Sequence, residues 1–153
     1  MKALRIEKYS KDFSGLSVGE VERPQVGHGE VLVRVKAASL NPVDLQTIRG
    51  ETKMMLPVAP PMVVGVDVAG VVESVGEGVR RWKPGQEVMG FVGIHRPRTI
   101  AQFAVVSADA LALKPEGVSW EEAGAAPLAS LCAYQGRDQR GGEGGKRVLV
   151  HAG

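Results

Sequence analysis

Short runs of alternating apolar residues, separated by glycine and proline at close intervals, are the feature that most restricts how this chain can fold. The 153 residues include 20 glycines and nine prolines. Residues 30–40 show the pattern: Val31, Val33 and Val35 alternate with Leu32, Arg34 and Lys36, as in a strand with one buried face. Turn density of this kind is typical of a β-rich domain, so the sequence predicts a mainly β fold.

Six further segments continue the pattern. Strands are predicted at residues 2–8, 17–22, 86–91, 100–106 and 110–113. The β-branched run at 63–75 is interrupted by Gly65 and Gly70 and predicts two buried, bent strand segments. The Gly76-Glu77-Gly78 sequence after it predicts a hairpin turn, because it opens no helix that would bind a nucleotide. These elements favour a compact, barrel-like arrangement.

A few short helices are predicted between and after the strands. Asn41 can cap a helix that Pro42 opens, which predicts a helix at 42–49 ended by Gly50. Ser119 and Glu122 have the spacing of a capping box, and an alanine-rich stretch follows to residue 136. Pro127 is expected to divide this stretch into two helices.

The last residues are organised differently. Residues 140–146 form a glycine-rich connector, and residues 147–153 begin with a short apolar strand that has little to pack against alone. We therefore predict a domain at 1–139, the connector, and the first strand of another domain at 147–153.

Charge and cysteine content limit the function classes. A formal charge of +2, with no basic stripe, does not indicate nucleic acid or an anionic membrane as a partner. The single cysteine, Cys132, excludes an internal disulfide and fits a reducing compartment. The first residues, MKALRIEKYS, contain no apolar core of signal-peptide length, and no run in the sequence is as long as a membrane span, so we expect a cytoplasmic protein.

Four phrases of the sequence resemble the medium-chain dehydrogenase/reductase superfamily. They are ASLNPVDLQTIRG (38–50), GVDVAGVVESVGEGV with KPGQEVMG (65–90), AQFAVVSADALALKPEGVSWEEAGAAPLASLCAY (101–134) and GKRVLVHAG (145–153). The resemblance implies a GroES-like, partly open β-barrel domain followed by a Rossmann domain, of which this chain holds only the first strand. It also implies NADPH as cofactor, with the pyrophosphate loop beyond Gly153.

Zinc-dependent members of this superfamily hold the metal with three protein ligands. By the resemblance, those three positions are Asn41, Val66 and Leu128 in this chain. None carries the sulfur or imidazole donor of its zinc-binding relatives, and no cysteine lies between Gly90 and Ile100 to form the structural zinc lobe. The resemblance therefore points to the zinc-free, quinone oxidoreductase-like branch, and we predict no metal site.

Without a metal, the charge that develops on the substrate oxygen must be stabilised by hydrogen-bond donors. Asn41 is the candidate catalytic donor, and the resemblance places it beside the nicotinamide. Asn41 can equally be a helix cap, which would use its carbonyl oxygen and leave the NH2 free. The resemblance adds Pro42, Leu128 and Cys132 as cofactor-binding candidates, although a small buried thiol such as Cys132 is more often a packing residue.

Other polar residues have weaker assignments. Asp44 fits an acidic first-turn position, and Asp67 stands where zinc relatives have a glutamate beside the metal. We expect Asp67 to form an internal hydrogen bond or ion pair, with Arg49 as a possible partner. Gln46 replaces a tyrosine common in the quinone reductase branch, which leaves quinone specificity open. The histidines, His28, His95 and His151, are isolated in sequence and are not expected to be catalytic.

Two functions remain open. The first is a zinc-independent, NADPH-dependent oxidoreductase that reduces a quinone or an α,β-unsaturated carbonyl by hydride transfer. For the 153-residue chain alone we expect weak NADPH binding, no turnover, and self-association into a homo-oligomer through a surface around Leu128 and Leu131. The alternative is a GroES-like domain that acts as a non-catalytic binding or interaction module.

Overall fold

The structure, a computed structural model, describes residues 1–54, 59–95 and 98–138. In these ranges the chain forms eight strands, three α-helices and a 3-10 turn at Ala108–Ala110. The strands are β1 (Lys2–Ile6), β2 (Leu16–Glu20), β3 (Glu30–Ala37), β4 (Met62–Val63), β5 (Asp67–Val75), β6 (Glu87–Phe91), β7 (Phe103–Ser107) and β8 (Leu111–Leu113). The helices are α1 (Pro42–Arg49), α2 (Trp120–Ala125) and α3 (Pro127–Asp138).

The strands form two antiparallel sheets. One has three strands in the order β2-β1-β4, and the other has five in the order β7-β3-β5-β6-β8. The register between β3 and β5 shifts at two places, after Leu32 and after Val35, and such irregularities bend a strand and increase its twist. The predicted mainly β fold is confirmed, and the two sheets do not close into a barrel.

Two apolar clusters hold the sheets together. The larger lies against the five-stranded sheet and consists of Val31, Val33, Val68, Val72, Trp82, Val88, Ala104, Val106 and Leu111. The smaller joins the three-stranded sheet to α1 through Ile6, Ile48 and Val64. The Trp82 indole donates its N–H to the main-chain oxygen of Ala108 at 2.7 Å, so this large ring is buried with its polar atom bonded. Each fully buried valine or isoleucine contributes about 1.5–3 kcal/mol through burial.

The predicted strands exist, but several of them end elsewhere. The 63–75 run is divided at Gly65, whose φ is 100° and which separates the half-buried β4 from β5, but not at Gly70, which lies within β5. The strand predicted at 100–106 begins only at Phe103, because the N–H groups of Ile100 and Gln102 donate to Val64 and Lys2 instead of to β3. The Gly76-Glu77-Gly78 segment is a turn, within the connection between β5 and β6.

The helix predictions are confirmed. Helix α1 begins at Pro42 after Asn41, and Gly50 follows it with a left-handed φ of 77°. Ser119 accepts a hydrogen bond from the Glu122 N–H at 3.1 Å, while the Glu122 carboxylate accepts from the Ser119 N–H at 2.9 Å, as a capping box requires. A new helix starts at Pro127. Within the described ranges, the helices are all too short or too polar to span a lipid bilayer.

Candidate functional site

The buried carboxylate of Asp67 is the centre of a polar network. Asp67 is 0% exposed and accepts three hydrogen bonds. The Ser39 hydroxyl and the Asn41 side-chain N–H both donate to Oδ2 at 2.8 Å, and the Leu128 main-chain N–H donates to Oδ1 at 2.8 Å. A fully buried carboxylate needs such donors, because removing it from water without them costs several kcal/mol.

Four elements of the fold meet at this carboxylate. Ser39 follows the end of β3, Asn41 caps α1, Asp67 is the first residue of β5, and Leu128 is the second residue of α3. The donors lie 28, 26 and 61 residues from Asp67 in the sequence. The carboxylate therefore fixes the position of two helix starts relative to the sheet.

The orientation of Asn41 differs from the sequence-based expectation. Its NH2 group was expected to remain free, and this is wrong: Nδ2 donates to Asp67 Oδ2 at 2.8 Å and to the Ser39 hydroxyl oxygen at 3.1 Å. A carboxylate only accepts hydrogen bonds, so the amide must turn its NH2 toward Asp67. Both N–H hydrogens of Asn41 are thus directed into the protein rather than toward a substrate oxygen.

A second buried carboxylate, Asp44, supports the same helix start. It is 2% exposed and accepts from the Asn41 N–H at 2.8 Å and from the Gly65 N–H at 3.1 Å. Burial raises the pKa of Asp44 above its ordinary value, these two hydrogen bonds act against the rise, and the nearby Asp67 charge adds to it. Asp44 joins the cap of α1 to the loop between β4 and β5.

This raised pKa makes stability depend on pH in a definite direction. The native state binds the Asp44 proton more tightly than the unfolded chain does, so its contribution is fully present below the unfolded pKa of about 3.9 and is lost as pH rises through the folded pKa. Asp44→Asn removes that loss. We therefore expect the unfolding free energy of Asp44→Asn, relative to the wild type, to increase as pH rises above about 4 and then to level off.

Urea unfolding of both proteins across this pH range measures the difference. The amide has a single acceptor oxygen, which lowers the stability of the variant by an amount that does not change with pH. A difference that stays constant or falls with rising pH contradicts the proposed titration.

The prediction for Asp67 was right about internal hydrogen bonds and wrong about Arg49 as their source. The internal hydrogen bonds are confirmed, but none comes from Arg49, whose guanidinium lies over the Phe13 ring, 5.2 Å from its centroid. Arg49 is at the other end of α1, about 12 Å along the helix axis from Asn41. That separation explains why the arginine does not reach the carboxylate.

The three positions that hold zinc in relatives lie around this network. Asn41 and Leu128 both donate to Asp67, and Val66 precedes it in the chain with 1% exposure. Val66 and Leu128 have no side-chain donor atom, and both Asp67 oxygens already accept hydrogen bonds. The residues present do not fit zinc, which prefers three or four sulfur, imidazole or carboxylate ligands. Among the described residues there is also no group of three histidine, cysteine or acidic side chains placed to hold a metal.

The cofactor-binding candidates lie near one another. Pro42 is exposed next to Asn41, Leu128 is half-buried, and Cys132 is one helical turn after Leu128 on the same face of α3. The expectation that Cys132 is buried is wrong, because its side chain is exposed. Of the two residues expected on an open apolar surface, Leu131 is 41% exposed and Leu128 is only half-exposed, while Tyr134 nearby is 63% exposed. The self-association expected from this surface stays a prediction.

The remaining candidates do not join the site. His28 and His95 are exposed and take no part in the network, while His151 lies outside the described residues, as do the connector and the predicted strand at 147–153. Gln46 is exposed on α1. Ser39 was not predicted from the sequence, yet it is a full member of the network. Its position two residues before the Asn41 cap could have indicated this role.

Comparisons with known proteins identify the family. Residues 27–116 match the model of the alcohol dehydrogenase GroES-like domain. The chain is 36% identical to a 2-methylene-furan-3-one reductase of Solanum lycopersicum, covering 93% of this chain and 39% of that protein. It is 35% identical to an NADPH-dependent alkenal/one oxidoreductase of Arabidopsis thaliana, covering 97% of this chain and 41% of that protein.

A solved structure supports the same relationship. The quinone oxidoreductase from Coxiella burnetii superimposes with a TM-score of 0.85 and 31% identity, over 99% of this chain and 49% of that one. The chain thus spans between two fifths and half of the length of these relatives. It belongs to the alcohol dehydrogenase GroES-like domain family, within the medium-chain dehydrogenase/reductase superfamily and alongside its quinone oxidoreductases and enone reductases.

Proposed function

We propose that this chain forms the substrate side of a zinc-independent, NADPH-dependent oxidoreductase that reduces a quinone or an α,β-unsaturated carbonyl by hydride transfer. The oxidoreductase relatives support the reaction type, and two of their names, a furanone reductase and an alkenal/one oxidoreductase, favour a conjugated carbonyl substrate. NADPH is named for the second of these.

The observation that carries the proposal is the hydrogen-bonded state of Asp67. In a site that used zinc, the residues around this position would offer free donor atoms to the metal. Here Ser39, Asn41 and Leu128 donate to both oxygens of the Asp67 carboxylate. The network is complete without a cation, which supports catalysis that uses no metal.

The chain's own residues would position the cofactor rather than react. NADPH supplies the hydride when bound. The NH2 group of Asn41 is held by Asp67 and Ser39, so the amide has a fixed orientation. Its side-chain oxygen would accept a hydrogen bond from an N–H of the nicotinamide carboxamide. Pro42, Leu128 and the Cys132 side of α3 would form the surrounding wall.

A fusion protein tests this function. This chain would replace the aligned part of the Coxiella burnetii quinone oxidoreductase, and NADPH oxidation would be followed with a simple enone and with a quinone. We expect turnover by the fusion and none by the 153-residue chain. Asn41→Ala in the fusion should raise KM for NADPH about tenfold, as the loss of one good hydrogen bond to a bound group does.

A matched variant keeps the result interpretable. Gln46→Ala changes an exposed residue of α1 outside the network and should leave KM for NADPH unchanged. A stably folded fusion without turnover on either substrate would contradict the proposal and favour the binding-module alternative.

A further inference from the structure

The Ser39 hydroxyl is the member of the polar network whose two hydrogen bonds run in opposite directions. Ser39 is half-buried after the end of β3, donates to Asp67 Oδ2 at 2.8 Å and accepts from Asn41 Nδ2 at 3.1 Å. A serine hydroxyl has a single hydrogen. Because that hydrogen points to Asp67, the hydroxyl can only accept on the side of Asn41.

The Asp67 carboxylate sets this direction and is itself held in place. Its Oδ1 accepts from the Leu128 main-chain N–H at 2.8 Å, which leaves Oδ2 for the side chains of Ser39 and Asn41. Asp67 is 0% exposed, so bulk water does not compete for these bonds. Ser39, Asn41 and Asp67 therefore close a ring of three hydrogen bonds in which Asn41 only donates.

Two bonds of this ring decide which way the Asn41 amide faces. A half turn of the amide would place its oxygen against Asp67 Oδ2 and the Ser39 oxygen, and would break both bonds from Nδ2. Each such bond favours the observed orientation by a factor of about five. Without the Ser39 hydroxyl only the bond to Asp67 remains, and water beside the second N–H can donate as well as accept. Ser39 therefore restricts the amide beyond what Asp67 does alone.

The fixed amide limits what Asn41 can offer to a ligand. Both N–H groups are used inside the protein. An amide oxygen has two lone pairs, of which the Asp44 N–H at the start of α1 can use only one. A ligand group that meets Asn41 must therefore donate a hydrogen bond. The carboxamide of a nicotinamide ring can do so only through its NH2.

We propose that Ser39 is a positioning residue, which holds the Asn41 amide so that the site selects a nicotinamide cofactor by the N–H of its carboxamide. This role rests on the proposed NADPH-dependent function. Ser39 acts through Asn41 rather than on the cofactor directly, since its hydrogen is already used by Asp67. The consequence is a preference for ring substituents that donate a hydrogen bond over those that only accept one.

The test compares two dinucleotides that differ in this substituent alone. NADP⁺ and its 3-acetylpyridine analogue, which has a methyl group in place of the NH2, would be titrated into the fusion protein, with dissociation constants measured by calorimetry. We expect the unchanged fusion to bind NADP⁺ about tenfold more tightly than the analogue. Ser39→Ala should reduce this ratio to about threefold or less, and Ser39→Thr, which keeps the hydroxyl, should restore it. A merely structural loss would weaken both dinucleotides equally and leave the ratio unchanged.

Ser74→Ala is the matched control. Ser74 is also half-buried, lies near the other end of β5 from Asp67, and is outside the network, so the ratio should stay at about tenfold. If Ser39→Ala does not fold, Ser39→Cys makes the same comparison, because a thiol is a weak hydrogen-bonding group. The proposal is overturned if the ratio is the same with and without the Ser39 hydroxyl, if Ser74→Ala lowers it equally, or if neither dinucleotide binds.

Turnover of the same fusion separates the positioning role from the proposed function. Reduction of an enone, with a binding ratio that does not respond to Ser39, would contradict only the positioning role. A ratio that falls in Ser39→Ala, in a fusion that binds NADP⁺ but reduces neither an enone nor a quinone, would contradict only the reductase function.

Discussion

Replacing Asp67 by alanine is expected to lower the free energy of unfolding by about 3–5 kcal/mol. The change leaves the Ser39 hydroxyl, the Asn41 amide and the Leu128 N–H without their buried acceptor. It also creates a cavity where the side chain is now 0% exposed. Urea unfolding followed by circular dichroism measures the loss.

Asp67→Asn is the matched control, because it keeps the shape and one acceptor oxygen. It should cost roughly 1–3 kcal/mol, since its NH2 must face at least one of the three donors. The two variants together separate the volume of the side chain from its hydrogen bonds. If Asp67→Ala unfolds within about 1 kcal/mol of the wild type, the network does not hold the two helix starts as described.

The second large effect is expected at Gly65, in the loop between β4 and β5. Its φ is 100°, and an added Cβ would lie 2.4 Å from Thr99 Oγ1 and 2.9 Å from the Ile100 N. Gly65→Ala should therefore destabilise the protein by about 3–5 kcal/mol, from backbone strain and close contact together. The same loop binds Asp44 through the Gly65 N–H, so the candidate site should be disturbed as well.

Gly85→Ala separates these two causes. Gly85 has a similar φ of 90°, but nothing lies within 4 Å of an added Cβ. It should cost only about 1–2 kcal/mol, from backbone strain alone. Equal losses for the two variants in chemical denaturation would show that contact with Thr99 and Ile100 is unimportant.

The strands were predictable because alternation of side chains along a strand is a local property. Residues 30–36 show it clearly, and β3 lies there. The ends of the strands were not predictable, because they depend on hydrogen-bond partners far along the chain. Ile100 and Gln102 have the pattern of strand residues, yet their N–H groups donate to Val64 and Lys2, and only the Gln102 oxygen bonds to β3.

The candidate site was predictable in its residues but not in its geometry. Asn41, Asp67 and Leu128 were singled out in sequence, and they meet in the structure. That the Asn41 amide turns inward follows from a carboxylate 26 residues away, and Leu128 joins through its main-chain N–H, which no residue type reveals. Arg49 was a wrong partner for Asp67, because the helix length, rather than charge, decides which groups can meet.

The dependence of turnover on zinc tests the central claim most directly. The fusion protein would be dialysed against a strong chelator, its zinc content measured by mass spectrometry, and its NADPH oxidation with an enone compared before and after. We predict no stoichiometric zinc and an unchanged rate. One zinc per chain, with activity lost on chelation and restored by added zinc, would contradict the account.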